Sequence, residues 1–264
     1  MNISLLIPCK VKDVVWLSST VFKVVFDPKT KFKYQAGQFV SVAIPTHRER
    51  PLHEWHSYTL ACPYETAETN GYEIYVRYIS GGMASEYLSF LRKGDEFTIT
   101  SPHGDFRFVP PSTDKDVVFI ATTSGIASIK AIVESEEFQK NKPARTYLLL
   151  GTRNEEESLF TSYFEKLGLR VIPAVTKPKI LTFGFWGRVT DFLERGVFPW
   201  NAKNADYYVV GNPKMVKRVL YQLNLLQKVD RKSIFIENII SQFSFEKEST
   251  EAEVHELVPF KKSA

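Results

Sequence analysis

Three phrases in the first half of the sequence carry residue types suited to holding a flat ligand that bears phosphate. They are Gly37-Gln38-Phe39-Val40, ahead of a loop over 45–55, then His56-Ser57-Tyr58-Thr59-Leu60, then Gly81-Gly82-Met83-Ala84-Ser85. Glycines before a helix start leave backbone N–H groups pointing outward, which suits a diphosphate, and Ser85 would add a hydroxyl donor. On an extended strand His56 and Tyr58 share one face while Thr59 turns to the other, and the Tyr58 ring offers a flat surface for stacking on an aromatic ligand. Taken singly, each phrase has a plainer reading: a glycine pair as a hairpin turn, a tyrosine as core.

The second half opens with Val117-Val118-Phe119-Ile120-Ala121-Thr122-Thr123-Ser124-Gly125-Ile126-Ala127-Ser128, which reads as strand, tight turn and helix. That geometry brings a pyrophosphate to a helix N-terminus. The run lacks G-x-G-x-x-G, so alone it is a weak nucleotide signal. Tyr208-Val209-Val210-Gly211-Asn212-Pro213-Lys214-Met215 is a second strand that runs into a loop and helix.

Other reactive side chains point to less. His53 and His56, with His47 nearby, make a poor metal set, because strand or loop spacing does not favour chelation and no third ligand is evident. No metal site is expected. Cys62, before Pro63, has no local base and reads as a buried thiol. With Cys9 it makes only two cysteines, too few for a zinc cage or an iron–sulfur cluster. Lys140, Lys142, Lys177, Lys179 and Lys203 make basic loops that could dock an acidic partner, with solvated surface lysine as the default. Phe183, Phe185 and Trp186 read either as a partner-facing loop or as packing against the following helix.

The elements that must position these residues change character along the chain. Strands are expected over 11–16, 21–26, 39–44, 57–61, 72–79 and 96–100, punctuated by Asp27-Pro28, Asn70-Gly71 and Lys93-Gly94-Asp95, with one helix over 84–91. Many short strands at this spacing predict an antiparallel β-barrel or sandwich. Beyond about 113, apolar strands at 117–121, 146–150, 171–175, 207–210 and 233–236 alternate with helices at 126–138, 156–167, near 187–194 and 213–225. This alternation predicts an α/β fold with a parallel sheet covered on both faces. The expected organisation is a β-barrel domain over 1–112 and an α/β domain over 113–264, with a polar tail from about 246.

The chain has 264 residues, 44% hydrophobic and 24% charged, with a net charge of +4. These are values of an ordinary globular protein, too mildly basic for a nucleic-acid binder. No run approaches the roughly 18 apolar residues of a membrane span. The opening 3–8 run is too short for a signal-peptide core, and two cysteines, with no disulfide framework required, suit a reducing compartment. A cytoplasmic protein is therefore expected.

Read in order, the phrases resemble the ferredoxin–NADP reductase superfamily, and the resemblance covers nearly the whole chain. His56-Ser57-Tyr58-Thr59 is similar to the family's flavin motif Arg-x-Tyr-Ser/Thr. Gly81-Gly82-Met83-Ala84-Ser85-Glu86-Tyr87-Leu88 resembles its diphosphate motif, and Gly94-Asp95 and Pro102-His103-Gly104-Asp105-Phe106 resemble Gly-Asp and Pro-x-Gly-x-Phe. The turn after residue 121 resembles Gly-Gly-Thr-Gly-Ile-Ala-Pro, and Gly151-Thr152-Arg153 resembles Gly-x-Arg. Gly187-Arg188-Val189-Thr190 also has a counterpart. Gly211-Asn212-Pro213-Lys214-Met215-Val216 is similar to Cys-Gly-Asn-Pro-x-Met-Val of bacterial members.

The resemblance implies two cofactors, FAD in the barrel and NADPH or NADH in the α/β domain. Tyr58 and Thr59 would be the catalytic pair, Tyr58 against the isoalloxazine and Thr59 near flavin N5. His56, Ser57, Tyr75, Arg77, Gly82, Met83, Ala84 and Ser85 would bind FAD. Thr123, Gly125, Ile126 and Ala127 would line the nicotinamide groove, with Arg153 at the adenosine end and Gly211, Asn212, Pro213 and Met215 at the nicotinamide end.

The implied activity passes electrons from NAD(P)H through FAD to a separate ferredoxin, flavodoxin or oxygenase partner. A flavin or quinone reductase, and a non-catalytic electron-transfer or regulatory subunit, are the alternatives. Arg153 and the Lys177 loop, with no acid directly after Leu150, lean towards NADPH. Four departures bear on catalysis. His56 replaces arginine, which trades a permanent charge for a titratable ring, so that weaker flavin binding or a pH-dependent retention is expected. Thr122 and Thr123 replace glycines and crowd the nucleotide's approach, Ser128 replaces proline, and Val210 replaces cysteine.

Overall fold

The computed structural model describes residues 5–46, 53–111, 114–122, 125–143, 145–158, 160–180 and 184–237. The expected tail from about 246, and Thr123, Ser124, His47 and Phe183, lie outside them.

The first half forms six antiparallel strands: β1 (Leu6–Trp16), β2 (Val21–Pro28), β3 (Phe39–Pro45), β4 (His53–Thr59), β5 (Tyr72–Arg77) and β6 (Glu96–Thr100). Their order is β4-β3-β6-β1-β2-β5. The two outer strands meet through a bridge between Leu60 and Ile74 and a bond from Ala61 N–H to the Glu73 carbonyl at 2.7 Å. The sheet therefore closes on itself, which removes its edges. Alternate residues Ile7, Cys9 and Val11 turn inward onto Phe22, Val24, Phe26, Ile74 and Phe97, the period-2 pattern of a strand with one buried face. Each fully buried Val, Ile, Leu or Phe is worth roughly 1.5–3 kcal/mol. Two helices interrupt the strands, α1 (Tyr64–Asn70), which the periodicity did not anticipate, and α2 (Met83–Phe90).

The second half is a parallel sheet of β7 (Asp116–Thr122), β8 (Thr146–Thr152), β9 (Arg170–Val175), β10 (Phe185–Trp186), β11 (Ala205–Val210) and β12 (Ile234–Ile236). The order is β10-β9-β8-β7-β11-β12. All seven residues of β8 and all six of β11 are buried, because helices cover both faces. Those helices are α3 (Ile126–Glu134), α4 (Glu136–Lys140), α5 (Thr161–Lys166), α6 (Val189–Arg195) and α7 (Pro213–Tyr221).

Helix boundaries differ from the periodicity for local reasons. The expected helix over 126–138 breaks at Ser135, whose extended backbone and side chain cap α4 by accepting from Phe138 N–H at 3.3 Å. The helix expected over 156–167 shortens because Phe160 takes a positive φ of 66°. A 3₁₀ turn at Glu155–Glu157, capped by Asn154, precedes that residue. The helix expected over 213–225 ends in a π-type turn at Gln222–Leu226. Phe185 packs edge-on against Phe192 of α6 at 5.4 Å, while Trp186 is 66% exposed.

The halves share one core. Ala61, Tyr75, Phe106 and Phe108 of the first half pack with Val117, Phe119, Ile129 and Phe138 of the second. A polar clamp adds to this. Lys130 on α3 reaches the Ala61 carbonyl at 3.2 Å and Glu134 at 3.0 Å, and lies 3.8 Å from Glu73 on β5. Lys23 holds the other Glu73 oxygen at 3.0 Å.

Candidate active site

Parallel sheets bind ligands beyond the carboxyl ends of their strands, at the point where strand order reverses. Here the reversal falls between β7 and β11, and their ends, Thr122 and Val210, open into a cavity of about 860 Å³. The opposite wall is the barrel's rim, built from β4, β5 and the start of α2. One crevice thus joins both halves, with a volume in the upper part of the ~300–1,000 Å³ range of small-molecule sites.

Of the residues the sequence singles out, His56, Ser57, Tyr58, Thr59, Tyr75, Arg77, Gly82, Met83, Ala84, Ser85, Gly125, Gly211, Asn212 and Pro213 line this cavity. Ala127 lines it too. Ile126, Arg153 and Met215 do not. Ile126 is turned into the shared core, because the first turn of α3 buries its apolar face on the sheet. Arg153 is solvent-exposed past the end of β8, where its carbonyl accepts from Lys177 N–H at 2.7 Å and its own N–H donates to Glu157 at 3.1 Å. Met215 packs with the apolar cluster under α7. The Gly37-Gln38 phrase is structural. Gln38 accepts from Gln35 N–H at 2.8 Å and donates to the Gly104 carbonyl at 3.1 Å, fixing the turn into β3.

The glycine pair forms the entry to α2. A Cβ added at Gly82 would lie 2.9 Å from the Ile79 carbonyl oxygen and 3.0 Å from Ser85 Oγ, so the loop closes tightly only around glycine. Ser85 fastens that loop. Its Oγ accepts from Ile79 N–H at 3.1 Å and lies 3.0 Å from the Gly82 carbonyl and 3.1 Å from that of Ile79. The hydroxyl expected to bind ligand is therefore already engaged as a staple. What α2 presents to the cavity is its first-turn backbone, whose N–H groups have no intrahelical partner. With Arg77 and His56 beside it, this wall fits a diphosphate.

Tyr58 is half-buried on the cavity wall, and burial pushes its hydroxyl up to about 12, so it stays neutral. His56 lies 3.6 Å from Glu54 across the strand's exposed side. The Tyr75 ring stacks on Phe160 at 5.8 Å and 15°, which gives it a packing role across the two halves.

Thr122 and Gly211 meet at the far wall. A Cβ at Gly211 would fall 2.1 Å from Thr122 Oγ1, which accepts from Asn212 N–H at 3.4 Å. The side chain at 122 therefore fits between the ends of the two strands because 151 and 211 are both glycine.

The most informative group is one the sequence reading missed. Glu237 follows β12 and lines the cavity. Its Oε1 accepts from Thr59 Oγ1 at 2.7 Å and from Ser128 Oγ at 2.5 Å. Burial pushes its carboxyl up to about 7, with the two hydroxyls working in the opposite direction. The available signal was an acid directly after the apolar run Ile234-Phe235-Ile236, at the carboxyl end of a parallel strand. Glu54, Ile79, Val216, Lys217, Leu220 and Ile236 also line the cavity and were not anticipated.

Both cysteines are free and buried, with the Cys62 thiol pushed up to about 11 by desolvation. Among the described residues no group of three or more His, Cys, Asp or Glu is arranged to hold a metal. Among them, too, no helix is long and apolar enough to cross a membrane.

Comparison with known proteins agrees with this architecture. Residues 8–108 match the oxidoreductase FAD-binding domain, and residues 119–220 match the oxidoreductase NAD-binding domain. The chain belongs to the ferredoxin–NADP reductase superfamily. That superfamily is a class of NAD(P)H-dependent flavoprotein oxidoreductases, and its cofactors are FAD and a nicotinamide dinucleotide.

The superfamily fold is seen in the ferredoxin NADP+ reductase of Neisseria gonorrhoeae with bound FAD and NADP. It superposes with a TM-score of 0.73 at 21% identity, covering 88% of this chain and 98% of that one. The reductase component DmpP of phenol 2-monooxygenase from Pseudomonas sp. (strain CF600) is 27% identical over 237 residues, 86% of this chain and 64% of that protein. The NAD(P)H-flavin reductase of Aliivibrio fischeri is 23% identical over 246 residues, 87% of this chain and 96% of that protein. The chain spans 64% of the length of the phenol hydroxylase relatives it matches.

Proposed function

We propose that this chain draws electrons from NADPH or NADH and passes them through FAD to a separate carrier, such as a ferredoxin, a flavodoxin or an oxygenase component. The observation that supports this reading is the single cavity in which the barrel wall and the β7–β11 wall face each other, with Thr59 and Glu237 between them. Bound FAD supplies the hydride and one-electron chemistry.

The residues of the chain supply position. Tyr58 offers its ring to a flat ligand, and the first turn of α2, with Arg77 and His56, accepts a diphosphate. Gly125, Gly211 and Asn212 form the floor on which a second nucleotide would rest. The Thr59 hydroxyl is oriented by its bond to Glu237, so that its position and the protonation of Glu237 are coupled. Holding two reactants at contact distance is the main rate contribution available to such a scaffold.

A second reading, transfer to free flavin, gains support from the 96% coverage of the Aliivibrio fischeri flavin reductase. Two free cysteines are consistent with a cytoplasmic setting. Anaerobic stopped-flow reduction with each nicotinamide in turn is the test. Loss of visible flavin absorbance supports the enzyme reading, and a flavin that stays oxidised with both donors overturns it. Faster reoxidation by ferredoxin or flavodoxin than by free flavin selects the carrier reading.

A further inference from the structure

We propose that Ser128 is a positioning residue, which with Thr59 holds the Glu237 carboxylate as a shared hydrogen-bond acceptor between the barrel and the nucleotide half. This inference rests on the reading above, because it concerns the carboxylate at the meeting point of the two proposed cofactor crevices.

The geometry is specific. Ser128 is fully buried in the first turn of α3, a helix whose other inward residues are all apolar. A hydroxyl there needs a partner. It finds Glu237, 109 residues away, while Thr59 reaches the same oxygen from 178 residues away. Three elements with no local connection, the end of β4, the start of α3 and the segment after β12, are thus pinned at one carboxylate oxygen. The position is occupied by proline in the motif this turn resembles, and proline has no donor to offer. The second hydroxyl on Glu237 is therefore a feature of this chain.

Two donors on one carboxylate oxygen favour its charged form, whereas burial favours the neutral acid. The ionisable groups that line the cavity are Glu54, His56 and Tyr58 on β4, Tyr75 and Arg77 on β5, and Lys217 on α7, while α3 adds Lys130 and Glu134 and β5 adds Glu73 behind the wall. Lys130 is turned away to Glu134 and Glu73. The influences on Glu237 are burial first, then Ser128, then Thr59. Ser128 thus works against burial to keep the carboxylate titrating near neutral pH, and it transmits the placement of α3 to the Thr59 hydroxyl.

The test is a carboxyl ¹³C NMR titration of the full-length protein, with and without FAD, in which Glu237→Gln assigns the resonance. Ser128→Ala is expected to raise the Glu237 midpoint by about one pH unit, and Thr59→Ala to raise it in the same direction. Ser128→Thr, or Ser128→Cys if threonine does not fold, should return it part of the way. The pH midpoint of flavin reduction by NAD(P)H should move with the NMR midpoint. A Ser128→Ala protein that folds and titrates at the wild-type midpoint overturns the proposal, as does a hydroxyl-bearing variant shifted as far as alanine. The titration without FAD needs no flavin chemistry. A failure to reduce flavin would therefore count against the functional reading alone, and an unmoved midpoint against the role of Ser128 alone.

Discussion

Thr122 Oγ1 sits where a side chain on Gly211 would have to be, 2.1 Å from the Cβ that alanine would place there. The backbone at Gly211 also has φ +139°, which L side chains rarely adopt. Gly211→Ala should therefore destabilise the protein by about 1–3 kcal/mol from backbone strain alone, with the clash in addition. The double variant with Thr122→Gly should recover the clash component but not the backbone component. Thermal unfolding of the three proteins measures both parts. If Gly211→Ala unfolds like wild type, the close approach is wrong.

Thr122→Gly by itself widens the wall between the ends of β7 and β11, since Thr122 lines the cavity there. Nicotinamide dinucleotide should bind several-fold more tightly to this variant. Isothermal titration with NADPH and with NADH checks it, and an unchanged dissociation constant would show that the threonine does not obstruct the crevice.

Glu237 makes the stability of the fold depend on pH. Its folded-state carboxyl is raised from 4.5 to about 7, so between those values the folded protein holds a proton that the unfolded chain has lost. The contribution of this group to stability therefore falls as pH rises from about 4.5 to 7. Glu237→Gln removes that slope. Urea midpoints measured across pH 5 to 7.5 for both proteins should diverge, with the glutamine variant flatter.

Lys130 is 13% exposed and bridges α3 to Glu73 and to the Ala61 carbonyl in the barrel. Replacing it with methionine leaves Glu73 and Glu134 without that cation. The expected loss is about 2–3 kcal/mol, below the ~3–5 kcal/mol for breaking a fully buried pair because some solvent remains. Chemical denaturation gives the number. The additional Lys130→Met, Glu73→Gln cycle should be less than additive, as expected for residues in one network.

His56 faces the cavity 3.6 Å from Glu54, at the position where arginine stands in the resembling motif. His56→Arg places a permanent, forked cation beside the start of α2. Flavin affinity, measured by fluorescence quenching, should rise several-fold. A weaker complex would mean that His56 packs against the ligand and does not pair with its phosphates.

Much of the architecture was legible from local pattern. The continuous apolar runs at Tyr147–Leu150 and Tyr207–Val210 mark strands buried on both faces, whereas β1 starts at Leu6, ahead of the expected start at 11, with Ile7, Cys9 and Val11 turned inward. The phrases around Tyr58, Gly82 and Gly211 could be placed in one cavity because each sits at an element end that the fold presents to the same crevice. Local breaks were less visible. Ser135 as a cap and Phe160 with a positive φ both interrupt helical periodicity that continues on either side.

What the sequence determined by itself is the period of each segment and the chemistry its turns could offer, since both depend on residues a few positions apart. Only the tertiary structure decided that Ser85 is a staple, that Ile126 and Met215 face the core, and that Glu237 meets Thr59 and Ser128 across 178 and 109 residues. Such partners are chosen by how the barrel and the sheet pack, and by burial that no single segment carries. A carboxylate after an apolar strand gains a raised proton affinity only when two distant halves close over it.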